Sequence, residues 1–367
     1  MRGLIALVAA GATVVGCGGA TAELPAASPR PSSAISASSV APAALVTPAP
    51  FVQRILEVAP PSQQPATRLS GGAATLPPVP SDVPFEGRLL IADVGNKRIV
   101  EIAPGGEMTW SFPAPGDAAA AALGPWDDAH YAPNGTTVVA NSAATSTVIA
   151  IDMSRRAIRW QAGTPGKPGR GTTSFSSPDD IVTALDGTSY FADILNCRIV
   201  QLAADGTFLH AIGDGKCVHD PPRSFASPNG AYPTADGDLV VTEITGSWIS
   251  RIGPGGTVRW TVKSPLTYPS DAMAYPDGSV LVSDYVSPGQ VVRLAPDGTV
   301  LWRYGPGKQL HNPSSAVPLA SNRVAISDDF AGRVLIVDPT TNEIVREYTT
   351  VGGIRMRVTD CVSFRPD

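Results

Sequence analysis

Residues 178–206 read PDDIVTALDGTSYFADILNCRIVQLAADG, a regular succession of strand and turn signals. It alternates short apolar runs with two turns, Asp186-Gly187 and Asp205-Gly206. Asp-Gly pairs favour hairpins because the backbone of a tight hairpin turn needs positive φ angles. The stretch therefore predicts three antiparallel strands and the turn into a fourth, which we call strands A to D.

The unit recurs along the chain. Six copies of strand B end near Asp93, Asn141, Asp193, Glu243, Asp284 and Asp328, so that 41 to 52 residues separate consecutive copies. This spacing is typical of four-stranded propeller blades. A second mark is a Trp in strand D, at Trp110, Trp160, Trp260 and Trp302. A Trp that recurs in an outer strand is expected to fill the gap between twisted sheets.

The last copy of the repeat is incomplete. The copies begin in mid-unit at Arg88, and residues 358–367 supply only a strand A. The two ends therefore complete one blade, which removes two open sheet edges. The sequence predicts an all-β fold over residues 85–367, a six-bladed β-propeller closed by its N- and C-terminal strands.

The first residues read as a targeting segment. Arg2 precedes an apolar run, residues 4–15, that is too short to span a membrane as a helix. The run ends in Val14-Val15-Gly16-Cys17, which is similar to a bacterial lipobox and predicts a lipoprotein signal peptide over residues 1–16 and a lipid on Cys17. An ordinary secretory signal is the alternative. Residues 17–84, rich in Ala, Pro and Ser, predict a disordered tether. We therefore expect an exported protein, anchored by lipid to the outer side of a bacterial cell membrane.

Composition limits the partners. The net charge is −5 and charged residues make up 16% of the chain, which gives no reason to expect nucleic acid. We expect a monomer. Export exposes the cysteines to oxidising conditions, and Cys197 and Cys217 flank one predicted hairpin, which favours a disulfide. Three reduced structural cysteines are the alternative, and in either case Cys361 is expected to be a buried thiol.

The B–C segments carry a resemblance. Residues 93–100 and 193–200 share the pattern Asp-x-x-Asn-x-Arg-Ile-Val, which resembles NHL-type six-bladed propellers over residues 86–367. The Trp in strand D is also similar to quinoprotein-type and arylsulfotransferase-type repeats. The resemblance implies a fold that hosts both binders and enzymes, among them lactonases, strictosidine synthase and streptogramin lyases. We expect the Asp, Asn and Arg side chains themselves to hold the B–C turns.

In a propeller, the D–A and B–C connections lie on one face, around the mouth of the central channel. We therefore expect the functional site at this mouth. The residues that open the A strands should converge there. We predict ligand contacts from Asp127, Asp179, Asn229 and Ser270, and metal contacts from Asp128, Asp180, Asp271 and Asp360. Carboxylate and amide oxygens suit Ca²⁺ or Mg²⁺. The arrangement looks like the metal mouth of lactonase-type propellers, although the metal-binding residues of those enzymes have no one-to-one match here. Hydrogen bonding of these side chains to the D–A loops is the alternative.

Three histidines are candidates for acid–base catalysis, because the unperturbed pKa of histidine is near neutrality. His130 lies on an A strand, and His219 and His311 lie in D–A loops. Arg355 and Arg357, in the last D–A loop, could contact an anionic group. His pairs at metal spacing, a phosphate-binding loop and a Gly-x-Ser-x-Gly elbow do not occur in the sequence.

Two functions follow from the sequence. The first is a binding module for a protein, glycan or small-molecule partner. The second is a Ca²⁺- or Mg²⁺-dependent hydrolase or lyase of the lactonase or streptogramin-lyase type, acting at the channel mouth. A third possible function is a redox propeller that holds a quinone cofactor. Six blades and the lack of residues that would clamp the cofactor count against it.

Overall fold

A computed structural model describes residues 83–308, 310–320 and 322–366. These residues form six four-stranded antiparallel sheets, each one blade, so the predicted six-bladed β-propeller is confirmed. The predicted signal peptide, the lipid-bearing Cys17 and the tether lie outside the described residues. Within the described part of the chain, no helix is long and apolar enough to cross a membrane.

The strands follow one another in the order A, B, C, D in each blade. Blade 1 combines β26 (Val362–Arg365) with β1 (Arg88–Asp93), β2 (Arg98–Ile102) and β3 (Met108–Phe112). Blade 2 contains β4 (Asp128–Tyr131), β5 (Thr137–Ser142), β6 (Thr147–Asp152) and β7 (Ala157–Ala162). Blade 3 contains β8 (Pro178–Thr183), β9 (Ser189–Asp193), β10 (Arg198–Leu202) and β11 (Phe208–Ile212). Blade 4 contains β12 (Pro228–Pro233), β13 (Leu239–Glu243), β14 (Trp248–Gly253) and β15 (Thr257–Lys263).

The remaining elements complete the ring. Blade 5 contains β16 (Pro269–Ala274), β17 (Val280–Asp284), β18 (Gln290–Leu294) and β19 (Val300–Tyr304). Blade 6 contains β20 (Pro313–Pro318), β21 (Val324–Asp328), β22 (Arg333–Asp338) and β23 (Glu343–Tyr348). A two-stranded hairpin, β24 (Thr350–Val351) and β25 (Ile354–Arg355), leads back to blade 1, and one short helix, α1 (Ala118–Ala121), precedes blade 2. Single 3₁₀ turns cover Val94–Asn96, Ile194–Asn196, Pro254–Gly256 and Asp329–Ala331.

The A–B turns have the predicted chemistry. Gly187 adopts a φ of +87°, which a side chain would strain, and its N–H donates to the Ala184 carbonyl at 3.0 Å. The Asp186 carboxylate accepts the backbone N–H of Thr188 at 2.9 Å. The Asp and the Gly of this pair therefore both stabilise the turn.

The seam closes as predicted, with one difference in length. β26 pairs antiparallel with β1, and Ile91 lies opposite Val362. The sequence places the strand from residue 358, whereas the regular strand begins at Val362. Pairing nevertheless continues toward the mouth, because Ala92 N donates to the Cys361 carbonyl at 2.9 Å and Asp360 N donates to the Ala92 carbonyl at 3.1 Å. The irregular backbone there leaves Asp360 at the mouth.

The D-strand tryptophans join neighbouring blades. The indole N–H of Trp110 donates to the Met153 carbonyl at 2.8 Å, and that of Trp160 donates to the Ala204 carbonyl at 3.0 Å. Both acceptors follow strand C of the next blade. Trp302 makes the equivalent bond to the side chain of Asn342 at 2.8 Å. The expected packing role is confirmed for these three residues, and a hydrogen bond accompanies it.

Candidate functional site

The repeated Asp, Asn and Arg residues hold the B–C turns. In blade 3, both oxygens of the buried Asp193 carboxylate accept from Asn196 Nδ2, at 2.9 and 2.8 Å, and Oδ2 also accepts from Arg198 Nε at 2.7 Å. Arg198 Nη2 then donates to the Gly171 carbonyl in the D–A loop at 2.9 Å. Blade 1 repeats these contacts with Asp93, Asn96 and Arg98. These polar groups are occupied by structural contacts, as expected.

His219, a catalytic candidate, replaces this arginine contact in blade 4. Its Nδ1 lies 2.8 Å from Oε1 of the buried Glu243, which stands where four of the other five blades have Asp. Its ring stacks on Trp248 with 4.0 Å between centroids, and its Nε2 lies 3.3 Å from Thr261 Oγ1. The Ala226 N–H satisfies the other carboxylate oxygen at 2.5 Å. These contacts indicate a structural role for His219.

His130 lies inside the channel wall. It is 3% exposed, and its Nε2 lies 3.4 Å from Cys361 Sγ and 3.9 Å from Asp180 Oδ1. Burial lowers the pKa of His130 to about 4, so the ring is neutral at pH 7. Burial also raises the pKa of the Cys361 thiol. His130 and Cys361 are both buried, which removes them from direct contact with a ligand.

Of the other predicted residues, some are exposed and some are buried. His311 is exposed, and its Nδ1 lies 3.2 Å from Ser287 Oγ. The three candidate histidines thus occupy three separate settings. Arg355 and Arg357 are exposed on the last D–A loop, and Asn229 and Ser270 are buried at the start of their A strands. A disulfide joins Cys197 and Cys217, whose Cα atoms are 5.1 Å apart.

The predicted carboxylates come together in two tiers at the axis. Asp127, Asp179 and Asp360 form the outer tier and are partly exposed. The inner tier is buried and consists of Asp128, Asp180 and Asp271. We call these six residues, together with Asp329, the acidic mouth. Burial raises the pKa of each of the seven, and the charges of other members raise the pKa of every one but Asp180 further, so the carboxyl groups lie near one another.

Irregular A strands bring these side chains to the axis. In β8 the register shifts between Asp179 and Val182, and Asp180 adopts a φ of +50°, which is strained for a residue with a side chain. Comparable shifts follow Pro228, Pro269 and Pro313 in the next three blades. Such bulges redirect side chains, and they commonly occur beside binding sites.

Hydrogen bonds satisfy part of the inner tier. Asp128 Oδ2 accepts from Asn141 Nδ2 at 2.9 Å and from the Asp180 backbone N–H at 3.2 Å. Asp180 Oδ2 accepts from the Tyr232 hydroxyl and, at 3.4 Å, from Asn229 Nδ2. Asn229 also donates to Asp179 at 3.0 Å. Amide and phenol donors thus stabilise two of the three inner carboxylates.

Two buried carboxylates remain incompletely bonded. Asp271 is 2% exposed, and neither of its side-chain oxygens has a hydrogen-bond partner among the described residues. Tyr232 is close enough for Asp271 to raise the tyrosine pKa, but its hydroxyl hydrogen goes to Asp180. Asp329 Oδ2 accepts from the Tyr285 hydroxyl at 2.6 Å, while its Oδ1 lacks a partner in the same part of the chain. Unbonded buried oxygens are costly when charged.

The carboxyl groups of the acidic mouth have raised pKa values and no lysine or arginine partner among the described residues. Burial raises the pKa of Asp127 to about 7 and the pKa values of Asp128, Asp180 and Asp329 to about 6. The neighbouring carboxylates raise most of these values further. Among the described residues, neither Lys nor Arg forms an ion pair with any residue of the acidic mouth. At neutral pH the cluster therefore retains protons or attracts a cation.

The fit to a metal ion is poor. Within the described ranges, no group of three or more His, Cys, Asp or Glu side chains is arranged to hold one. The four predicted metal residues do lie in one cluster, but amide and phenol donors already occupy oxygens of Asp128 and Asp180. The acidic mouth has the chemistry of a cation site without the geometry of a metal-ligand shell.

Aromatic rings stand beside the acidic mouth. The rings of Tyr268 and Tyr285 are 5.4 Å apart between centroids, and Phe330 follows at 6.3 Å from Tyr285. Burial raises the pKa of Tyr268 most, and Asp179 and Asp360 raise it further, so this ring lies near the outer tier. Phe330 is 61% exposed. The repeat pattern does not single out these rings, Asp329 or Tyr232, because none of them opens an A strand.

The comparisons with known proteins support the fold alone. No protein-family model and no curated protein matches the chain. A solved structure of a protein of unknown function from Bacteroides caccae is 15% identical and has a TM-score of 0.56, covering 76% of this chain and 99% of its own. The nidogen/laminin complex gives 15% identity and a TM-score of 0.55, covering 75% of this chain and 97% of the other. Virginiamycin B lyase from Staphylococcus aureus is 18% identical and has a TM-score of 0.50, covering 72% of this chain and 80% of its own.

Proposed function

We propose that the propeller is a binding module whose acidic mouth accepts a cationic group of its ligand. One observation carries the proposal: seven carboxylates gather at the axis, and no lysine or arginine of the described chain forms an ion pair with them. A cation from solution would supply the missing positive charge.

An organic ammonium group suits this mouth better than a metal ion. A metal ion requires several oxygens at short, fixed distances, whereas an ammonium group accepts looser geometry and also interacts with aromatic faces. Tyr268 lies close to Asp179 and Asp360, and Tyr285 is hydrogen-bonded to Asp329. Carboxylates beside aromatic rings form the kind of site that binds amines.

The test is calorimetric titration with ethanolamine at pH 8. Asp179→Asn and Asp360→Asn each remove one outer-tier charge and should weaken binding about threefold to tenfold. Asp297→Asn makes the same change in an exposed turn and should leave binding unchanged. Equal binding by all four proteins would refute the proposal. Ca²⁺ serves as a second probe, and tight Ca²⁺ binding with no amine binding would also refute it.

We further propose that the module acts outside the cell, on a lipid tether. The support is the sequence before the propeller: an apolar segment that ends at Cys17, followed by an Ala-, Pro- and Ser-rich stretch. Replacing Cys17 with Ser should move the protein from the membrane fraction to the soluble fraction. Retention in the membrane fraction would contradict this part of the proposal.

The hydrolase or lyase alternative gains little from the geometry. In the portion of the chain that the structure describes, the three candidate histidines lie apart, and His130 and His219 are held by protein contacts. His311 is exposed but contacts none of the acidic mouth in the hydrogen bonds it makes. No second function is therefore proposed.

A further inference from the structure

A basic cleft lies beside the acidic mouth on the same face. It has a volume of about 510 Å³ and is lined by Lys308, His311, Phe330, Ala331, Arg333, Glu347, Thr349 and Arg355. These residues come from the loop before blade 6, its B–C turn, the end of β23, and β25. Four of the eight are basic types, in a protein whose net charge is negative. The cleft therefore differs in charge from the rest of the molecule.

Arg333 is a fixed member of the cleft. Its guanidinium lies 2.7 Å from Asp328 Oδ2 and 3.2 Å from Glu347 Oε1. Asp328 also accepts the backbone N–H of His311 at 2.5 Å, which ties the loop before blade 6 to the same group. Two carboxylates thus compensate one guanidinium and hold the base of the cleft in place.

Lys308 and Arg355 supply charge that the protein does not compensate. Both are exposed, and neither makes an ion pair with another described residue. The backbone carbonyl of Arg355 accepts from Asn96 Nδ2 at 2.9 Å, so the repeat turn of blade 1 anchors its position. Among the residues that line the cleft and their ion-pair partners, Lys308, Arg333 and Arg355 therefore face two carboxylates, those of Asp328 and Glu347. The excess is positive.

We propose that this cleft is an oxyanion subsite, which takes a phosphate, sulfate or carboxylate group. Guanidinium and ammonium groups that converge from separate loops suit the several oxygens of such a group. The subsite stands on its own residues and does not depend on the acidic mouth.

The position of the cleft specifies the ligand further. Asp329 and Phe330 are consecutive residues of one 3₁₀ turn: Asp329 belongs to the acidic mouth, and Phe330 lines the cleft. If the proposed function holds, one ligand can place a cationic group in the mouth and an anionic group in the cleft. The expected ligand class is a small zwitterion with an amine close to an oxyanion.

The experiment uses three probes in calorimetric titrations: inorganic phosphate, ethanolamine and O-phosphoethanolamine. Lys308→Ala and Arg355→Ala should each weaken phosphate binding about threefold to tenfold and leave ethanolamine binding unchanged. Lys263→Ala, an exposed lysine on the outer strand β15, is the matched control. Both cleft side chains are exposed, so the variants should fold, and circular dichroism verifies this.

The outcomes separate the two proposals. Phosphate binding that neither cleft variant weakens, or that Lys263→Ala weakens equally, would overturn the oxyanion subsite. Loss of ethanolamine binding alone would overturn the acidic mouth and leave the subsite standing. O-Phosphoethanolamine should bind more tightly than either half, and equal affinity for all three probes would overturn the zwitterion class. Binding of phosphatidylethanolamine vesicles would assign the anion to a lipid headgroup, and binding of the soluble compound alone to a free phosphate ester; either result supports the subsite.

Discussion

The hydroxyl of Tyr232 in blade 4 donates its hydrogen bond to Asp180 in blade 3. Asp271 lies close to the same hydroxyl, which lowers its pKa, but neither of its oxygens meets a described donor in hydrogen-bonding geometry. The pKa of both carboxylates is raised by burial, and that of Asp271 is raised further by Asp180. The acidic mouth therefore carries an electrostatic cost at neutral pH that the fold itself does not remove.

The first prediction is that acid stabilises the propeller. The pKa of Asp128 and of Asp180 is about 6 in the folded state, against 3.8 for an ordinary Asp. Between about pH 4 and pH 6 the folded protein therefore binds more protons than the unfolded chain, so stability is lost as pH rises through this range. Urea unfolding should give a free energy of unfolding that is higher at pH 5 than at pH 8, by about 1 kcal/mol for each of the two groups. A higher midpoint at pH 8 would contradict this.

The second prediction compares two Asp→Asn substitutions at pH 8. Asp271→Asn replaces a buried carboxyl group, whose pKa is raised by burial and by Asp180, with an uncharged amide, and should raise the free energy of unfolding by on the order of 1 kcal/mol. Asp193→Asn removes the partner of Arg198, and should lower it by about 3 kcal/mol because the arginine loses its ion pair. Denaturant midpoints measure both. A loss of stability in both variants would show that Asp271 has an unrecognised structural partner.

The third prediction concerns the seam. Deleting residues 356–367 removes β26, whose pairing with β1 closes blade 1, and exposes the buried edge of that strand. The shortened protein should aggregate and lose cooperative unfolding. Deleting only residues 366 and 367 leaves the strand intact and should have no effect. A soluble protein that lacks residues 356–367 and unfolds cooperatively would contradict the role of the seam.

The fourth prediction separates scaffolding from binding. His219→Ala leaves the Glu243 carboxylate without its side-chain partner, and should lower the free energy of unfolding by about 1–3 kcal/mol. Ethanolamine affinity should not change, because His219 is outside the acidic mouth. His210→Ala, on the outer strand β11, should alter neither quantity. A normal melting curve with reduced affinity for His219→Ala would place this residue in the binding site.

The sequence predicts the ring better than it predicts the site. Turn residues such as Asp186-Gly187 determine the backbone locally, so the hairpins, the six copies and the seam could be derived from spacing. The contact between Tyr232 and Asp180 joins two blades and depends on the register shift at Asp180, which no local pattern encodes. His219 shows the converse: its residue type indicates catalysis, but its partner Glu243 reveals a structural contact only in three dimensions.

Proton release on ligand binding shows whether a cation enters the acidic mouth, because a cation held among the carboxylates must lower their pKa values. Ethanolamine should be titrated calorimetrically at pH 6.5 in two buffers that differ in ionisation enthalpy. The pKa values of Asp127 at about 7 and of Asp128 at about 6 mean that the free mouth is partly protonated there. We expect the bound cation to displace protons, so the observed enthalpy should differ between the buffers. Binding with the same enthalpy in both buffers would show that the cation does not enter the acidic mouth.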